Sequence, residues 1–464
     1  MLKILNEETS FNTPQLVEII NLFDAGEYDI TVEVVTVDGA KKIRTCVNNK
    51  EKTLPLLEDS LTKTAKLLIY LTLSELTGKT FPWGAMTGVR PLKKYVQLSE
   101  EGYSDGEIYN FFKENYAASD EKISLLGKIN KVQKPYHNWD SRSASLYVHI
   151  PLCPMKCKYC SFPSRVTGIG SDDCEVYIHA LLKELSSVAG YMKDKGIKTE
   201  NVYIGGGTPS ILSSRQMKTL LDRINMYIPS GIEFTVEAGR ADTLDEEKLK
   251  VMYDGGVSRI SLNPQTTNED TLRGISRNIT NDEFFRLYET ADRIGFCDIN
   301  CDLILGLEGE TEKDYEKSIN DVLSLGPTNI TLHTLCVKRA ADLTKAEANS
   351  PVDIGVYQNI ARKVLEDKGY EPYYMYKQKN ALNGAENVGY SLPGHECAYN
   401  IAMMGYHRSI FSAGASSSTK IIFDGGYKNV FVPKEFSLYV NNIDEIILKK
   451  IGKLDEVYDN FVNQ

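Results

Sequence analysis

The chain has 464 residues, more than one hydrophobic core ordinarily serves, so two or three domains are expected. A hydrophobic share of 42% with 25% charged residues is that of a water-soluble globular protein and excludes extensive disorder or a fibrous repeat. Fifty-three basic against 63 acidic side chains, a formal charge of −10, with no dense basic run, argue against a nucleic-acid partner.

The opening segment MLKILNEETSFNTPQ lacks the basic-then-apolar pattern of a secretory signal. The longest apolar stretch, Leu67 to Leu73, is too short to span a bilayer. A cytoplasmic location with no membrane partner is therefore expected. In such a reducing compartment the nine cysteines, an odd number, are not read as disulfides.

In chain order, an apolar-periodic segment from Pro14 to Phe23 is followed by the strand-like alternation ITVEVV (Ile30 to Val35) and an amphipathic helix through Leu57 to Leu76. Polar and charged residues dominate from Ser119 to Ser145, and the domain boundary is placed there. From Ser145 six β-rich runs recur, SLYVHI, NVYIGG, EFTVEA, RISLN, DINCDLIL and NITLHTL, most of them separated by helix-like segments such as Tyr177 to Gly190. Alternating strands and helices predict parallel strands with right-handed crossovers, and six units close only partway into a barrel. Functional groups are expected just after each strand. Beyond about Lys345 a helix (Val352 to Lys368), the Tyr-rich GYEPYYMYKQKN and the strand-like IFSAGA and TKIIF make a mixed module.

Directly after the first of the six strands stands His149-Ile-Pro-Leu-Cys153-Pro-Met-Lys-Cys157-Lys-Tyr-Cys160. Thiolate is a soft ligand suited to iron–sulfur clusters or zinc, and a cubane cluster takes four ligands. Only three are local here, which leaves one iron open for chelation by the amino and carboxylate groups of a methionine-like cofactor. The bland alternative is a zinc site completed by His149; zinc sites more often use paired C-x2-C knuckles, and no second knuckle is present. Cys46, Cys174, Cys297, Cys301, Cys336 and Cys397 show no ligand spacing and read as buried small hydrophobes.

Gly205-Gly206-Gly207-Thr208-Pro209 ends the second strand, where absent side chains let backbone groups approach a ligand. Glu237 and Arg240 follow the third strand; Asn263, Pro264 and Gln265 follow the fourth, with Arg277 further on; Asp302 lies within the apolar fifth. A carboxylate buried there requires a definite partner, for which a ribose hydroxyl pair is suitable. Glu237 and Arg277 as a structural ion pair, and Asp302 as a helix cap, are the competing readings.

Together these residues resemble the radical S-adenosylmethionine (SAM) superfamily. HIPLCPMKCKYC, GGGTP, VEAGR and DLILGL are similar to the oxygen-independent coproporphyrinogen III oxidase (dehydrogenase) family, and TGVRPLK with QKNALNGAENVGYSLPGHECAYN to its HemZ-like branch. The resemblance implies an α/β fold: a partial (β/α)6 TIM-like barrel of the radical SAM type over residues 144–345, an N-terminal α+β domain (1–143) and a C-terminal mixed α/β module covering the substrate (346–464). It implies a [4Fe–4S] cluster on Cys153, Cys157 and Cys160, with SAM, one molecule or two, at the fourth iron position. Tyr147 and Tyr159 would lie near the adenine, with a backbone contact at Cys336. Gly206, Gly207 and Thr208 would lie near the methionine part, Arg277 on the carboxylate, and Gln265 and Asp302 on the ribose; Glu237 is a further SAM contact. Phe162 stands where some members carry an additional cysteine, and Leu262-Asn263-Pro264-Gln265 where many read Gly-Val-Gln.

The implied activity is that of a radical SAM oxidoreductase. One electron from a flavodoxin- or ferredoxin-type donor leads to a 5′-deoxyadenosyl radical, which takes a propionate hydrogen of coproporphyrinogen III. Loss of carbon dioxide and an electron leaves a vinyl group; two propionates react to give protoporphyrinogen IX in haem biosynthesis. A haem-binding or haem-delivery protein on the same scaffold, or another radical reaction on haem such as ring opening or methyl transfer, is the alternative. For a tetracarboxylate substrate Arg165, Arg240, Lys338, Arg339 and Lys377 are candidate contacts, and the tyrosines from Tyr370 to Tyr376 candidate stacking partners for a macrocycle.

Overall fold

The computed structural model describes residues 2–5, 11–23, 28–58, 60–87, 90–137, 140, 142–336, 341, 353–379 and 381–462. The chain divides into two compact units, Met1–Lys131 with Tyr376–Glu386, and Val132–Met375 with Asn387–Gln464.

The first unit is built on four strands in the order β1 (Leu2–Ile4), β2 (Ile30–Val37), β3 (Ala40–Val47), β4 (Lys50–Pro55). The β2–β3 and β3–β4 turns use Asp38-Gly39 and Asn48-Asn49, all at positive φ, as two-residue hairpin turns require. Helices α1 (Thr13–Ile20) and α2 (Leu61–Thr77) join the strands in one core around Leu16, Ile19, Ile43 and Leu68. α2 begins after Ser60, whose side chain accepts from the Lys63 amide, and ends at Gly78 with φ 69°. It therefore starts later than the apolar periodicity predicts, because Ser60 caps it. Helices α3 (Pro91–Glu100), α4 (Asp105–Tyr116) and α5 (Asp120–Gln133) follow. α5 occupies the polar stretch read as a boundary, its buried stripe being Ile123, Leu126 and Ile129. In the same unit Glu386 accepts from Trp83 Nε1 at 2.7 Å and from Lys122 Nζ at 2.6 Å.

The second unit carries the six predicted strands: β5 (Ser143–Ile150), then, after the two-residue strands β6 (Leu152–Cys153) and β7 (Arg165–Val166), β8 (Lys198–Gly206), β9 (Glu233–Gly239), β10 (Arg259–Leu262), β11 (Asp298–Leu305) and β12 (Asn329–Thr334). Each is hydrogen-bonded in parallel to the next in the series. The segments between them are the helices α6 (Asp172–Asp194), α7 (Ser214–Asn225), α8 (Glu246–Asp254), α9 (Glu269–Gly274), α10 (Asn281–Ile294) and α11 (Glu312–Ser324). Strands covered on both faces read as near-continuous apolar runs, which is why the pattern exposes them.

After α12 (Ile354–Asp367) come β13 (Glu371–Lys377), β14 (Glu386–Ser391), α13 (Ala398–Met404), β15 (Ser409–Ala413), β16 (Ser418–Phe423), β17 (Gly426–Phe431), α14 (Phe436–Asn441) and α15 (Ile443–Val457). They lengthen the sheet at both edges, giving the order β13-β14-β12-β11-β10-β9-β8-β5-β15-β16-β17. β14 runs antiparallel to β12 and β15 parallel to β5. Among the described residues no helix is long and apolar enough to cross a membrane.

The C-terminal elements are fastened by one fully buried carboxylate. Glu184 of α6 accepts from the Gly414 amide at 2.8 Å, the Tyr439 hydroxyl at 2.7 Å and Lys450 Nζ at 2.8 Å. Breaking a buried pair by removing one partner costs about 3–5 kcal/mol, because the other charge is left without compensation. E184A is expected to lose about that much stability in denaturant unfolding, and E184Q less, since its amide oxygen still accepts; an E184A midpoint equal to that of the parent would contradict this role.

Candidate functional site

The C-terminal ends of the parallel strands supply the site. Ile150 closes β5, and the chain turns through Pro151 into the cysteine loop, fixed by Arg165 N donating to Pro151 O at 2.8 Å and Thr167 N to Cys153 O at 3.0 Å. Cys153 and Cys157 are buried and Cys160 is partly so. His149 directs Nδ1 to the Ala415 carbonyl. With that nitrogen engaged, the soft donors on the loop are its three thiols, the ligand type an iron–sulfur cluster takes.

The turn after β8 presses on this loop. Gly207 N donates to Ile150 O and Thr208 N to Leu152 O, each at 2.8 Å, and Thr208 Oγ1 donates to Cys153 Sγ at 3.5 Å. A Cβ at residue 207 would sit 2.6 Å from the Leu152 carbonyl oxygen and 2.8 Å from Cys153 Sγ, and Gly206 has φ 122°. Both positions therefore require glycine.

Glu237, on β9, accepts from Tyr203 Oη at 2.6 Å and from the Gly206 amide at 3.0 Å. Burial pushes its carboxyl up, against those two hydrogen bonds. Tyr147 and Tyr203 meet Tyr399 of α13, at ring-centroid distances of 5.7 and 4.2 Å. The backbone amides of Ala398 and Tyr399 are held by Glu233, while the buried Tyr399 hydroxyl has no hydrogen-bond partner. This aromatic wall joins residues far apart in the chain and gives no signal in the sequence.

Gln265 follows a register shift between β9 and β10. Its φ is 71°, a strained value for a residue with a side chain. Two backbone bonds hold it there: its amide donates to Asp302 O and its carbonyl accepts from Ile304 N, each at 2.9 Å. Asp302 accepts from Asn300 Nδ2 at 2.8 Å and lies 3.3 Å from His333 Nε2. Burial opposes its ionisation, but His333 and bonds from Asn300 and Thr331 outweigh that and hold the carboxyl below its ordinary value. His333, on β12, is a partner the sequence reading missed. Neither competing reading holds: Arg277 donates to the Asn263 carbonyl rather than to Glu237, and Asp302 is engaged by Asn300 and His333 within the sheet rather than capping any described helix.

Besides the Tyr399 hydroxyl, two more buried polar atoms in this region have no partner, Gln265 Oε1 and Arg277 Nε. Buried polar groups are nearly always satisfied, and these belong to two residues expected to face SAM. The residues present fit the implied group. Cys336 lies just past the end of β12, and Tyr159 neighbours the Arg277 guanidinium.

Other expectations are corrected. Arg240 is turned onto Cys157 Sγ at 3.0 Å, which removes it from the substrate candidates. Arg165 is paired with Asp173, and Lys377, in the first unit, donates to Met86 O; Lys338 and Arg339 lie outside the described residues. Tyr370, Tyr373 and Tyr374 are buried in packing. Cys297 is exposed rather than buried, and Cys46 and Cys336 are partly so. A cleft of about 330 Å³ opens beside the site, between Asp242, Glu246, Ile279 and Arg286.

Overpacking a fitted site costs roughly 1–3 kcal/mol, so G207A is expected to lower SAM affinity about tenfold and to reduce bound iron per chain. G190A, where nothing lies within 4 Å, is expected to leave both unchanged. Iron analysis and equilibrium binding check this; equal behaviour of the two variants would contradict the tight turn.

Residues 147–322 match the model of the radical SAM superfamily. The chain is 34% identical over 411 residues to the oxygen-independent coproporphyrinogen-III oxidase-like protein HemZ of Bacillus subtilis, covering 85% of this chain and 82% of that protein. It is 40% identical over 197 residues to the heme chaperone HemW of the same organism, covering 42% of this chain and 51% of the relative. Coproporphyrinogen III oxidase (HemN) from Escherichia coli, a radical SAM enzyme, shares the fold with a TM-score of 0.55 at 22% identity, over 67% of this chain and 71% of that one. The chain belongs to the radical SAM superfamily and, within it, to the family of oxygen-independent coproporphyrinogen-III oxidase-like proteins, a membership that brings with it a [4Fe–4S] cluster and S-adenosylmethionine.

Proposed function

We propose that this protein is a radical SAM oxidoreductase acting on a tetrapyrrole, with oxygen-independent decarboxylation of coproporphyrinogen III to protoporphyrinogen IX as its reaction. The observation that carries it is the meeting, at one end of the parallel sheet, of three thiols on one loop with the unpartnered Gln265 Oε1 and Arg277 Nε. The substrate class is supported by the printed name of the HemZ relative.

In this reading Cys153, Cys157 and Cys160 hold the cluster. Arg277 holds the SAM carboxylate, Gln265 and Asp302 the ribose, and Gly206, Gly207 and Thr208 the methionine part. Glu237 is a further contact, and Tyr147, Tyr159 and the Cys336 backbone border the adenine. When bound, the cluster and SAM supply the radical chemistry that removes a substrate hydrogen. The protein's share is orientation and exclusion of water. The Tyr147, Tyr203 and Tyr399 rings seal the sheet side of the site, and His333 keeps Asp302 in the carboxylate form, able to accept from hydroxyl groups. A flavodoxin- or ferredoxin-type donor in the cytoplasm supplies the electron.

A second reading, haem binding and delivery without decarboxylation, is favoured by the relatives named heme chaperone HemW, among them that of Escherichia coli at 28% identity over 61% of this chain. Anaerobic, cluster-reconstituted protein given SAM, dithionite and coproporphyrinogen III is expected to release carbon dioxide and form a divinyl product, detected by mass spectrometry. SAM cleavage without a vinyl product would reject the decarboxylase; tight haem binding and transfer in its place would establish the second reading.

A further inference from the structure

Arg240 follows β9 directly and is 4% exposed. Its Nη1 donates to Cys157 Sγ at 3.0 Å and its Nη2 to Met155 Sδ at 3.1 Å. Asp242 fixes the other side of the fork, accepting from Nε at 2.9 Å and from Nη2 at 2.6 Å. The guanidinium is thereby clamped, with its remaining donors aimed at two sulfur atoms of one loop. A buried arginine is ordinarily turned toward oxygen acceptors; this one gives two of its contacts to sulfur. The Arg277 guanidinium also reaches Cys157, from the α9 side. One cysteine thus receives two full positive charges, while Asp242 offsets one of them.

A thiolate bound to iron keeps lone pairs that accept hydrogen bonds. Donors and positive charge at the ligand sulfur stabilise the more electron-rich state of the centre, and these are among the levers that set an iron–sulfur potential. From this geometry we infer that Arg240 is a positioning residue that sets the reduction potential of the cluster through Cys157, with Asp242 as the counterweight that limits the effect. The inference rests on the reading of the three cysteines as cluster ligands. The step concerned is a one-electron reduction of the cluster by an external reductant; no bond to carbon is made or broken in it. Arg240's backbone bonds, its amide to Ala238 O and its carbonyl from Thr243, do not depend on the side chain, so substitution leaves the turn itself intact.

The test is an anaerobic redox titration of the full-length reconstituted protein, dithionite-poised and read by electron paramagnetic resonance, for the parent, R240K, R240M and D242N. For R240M the ratio of reduced to oxidised cluster at a fixed potential is expected to fall at least tenfold, a shift of 59 mV for a one-electron couple. R240K, which keeps the charge and loses the fork, is expected to fall between R240M and the parent. D242N is expected to shift the potential upward. An R240M cluster present at full stoichiometry with the parent's potential would overturn the inference, as would loss of SAM affinity with no change in potential, which would assign Arg240 to the SAM carboxylate. Should R240M fail to retain its cluster, D242N and R240K decide: parental potentials in both overturn it. Failure of the parent protein to take up a [4Fe–4S] cluster is a separate outcome, which overturns the cluster reading itself.

Discussion

In the function proposed above, three soft donors on eight residues of chain supply three corners of a cubane and leave the fourth without a protein ligand. Everything else in the site answers to that constraint. The loop can hold its shape only if something tight braces it, and the brace is the backbone of Gly207 and Thr208, bonded to Ile150 and Leu152. The fourth corner is useful only if a chelating molecule is gripped from the neighbouring strand ends, where Gln265 and Arg277 keep buried polar atoms in reserve. The parallel sheet makes this economical, because successive strands deliver their C-terminal residues to one edge.

The charges around the loop are arranged with the same asymmetry. Arg240 and Arg277 crowd Cys157, whereas the carboxylates on the sheet side are each tied up, Glu237 by Tyr203 and Gly206, Asp302 by Asn300 and His333. Positive groups therefore meet the sulfur side of the site and acceptors the side assigned to the nucleoside. The strained φ of Gln265 belongs to this division, since it is held by bonds to Asp302 and Ile304. Strain of that kind persists only where the surroundings over-determine it.

Much of the second unit was legible in the sequence because burial on both faces turns its strands into apolar runs, and the cysteines were legible because their spacing is covalent. The hairpin β3–β4 was not: Lys50 and Lys52 stand on the same face of β4 as Leu54, paired with Val47 and Thr45 and bonded to Glu75 of α2, and so interrupt the apolar alternation. α5 was hidden in the same way, a narrow stripe of Ile123, Leu126 and Ile129 among polar residues. Residues 376–386 group with the first unit through contacts between segments remote in sequence, such as Trp83 and Lys122 with Glu386. Arg240 was read as a substrate contact because a strand-end arginine announces its charge but not its direction. Tyr399 and His333 carried no local pattern, their partners lying on other strands.

The central claim is that Cys153, Cys157 and Cys160 hold a [4Fe–4S] cluster whose remaining iron takes SAM. The most direct measurement is the electron paramagnetic resonance spectrum of the anaerobically reconstituted, reduced protein before and after addition of SAM, alongside a metal and sulfide analysis. A reduced-cluster signal that shifts on SAM addition, with about four iron and four sulfide per chain, is the predicted result. One zinc per chain without sulfide, or a cluster signal indifferent to SAM, would contradict the account.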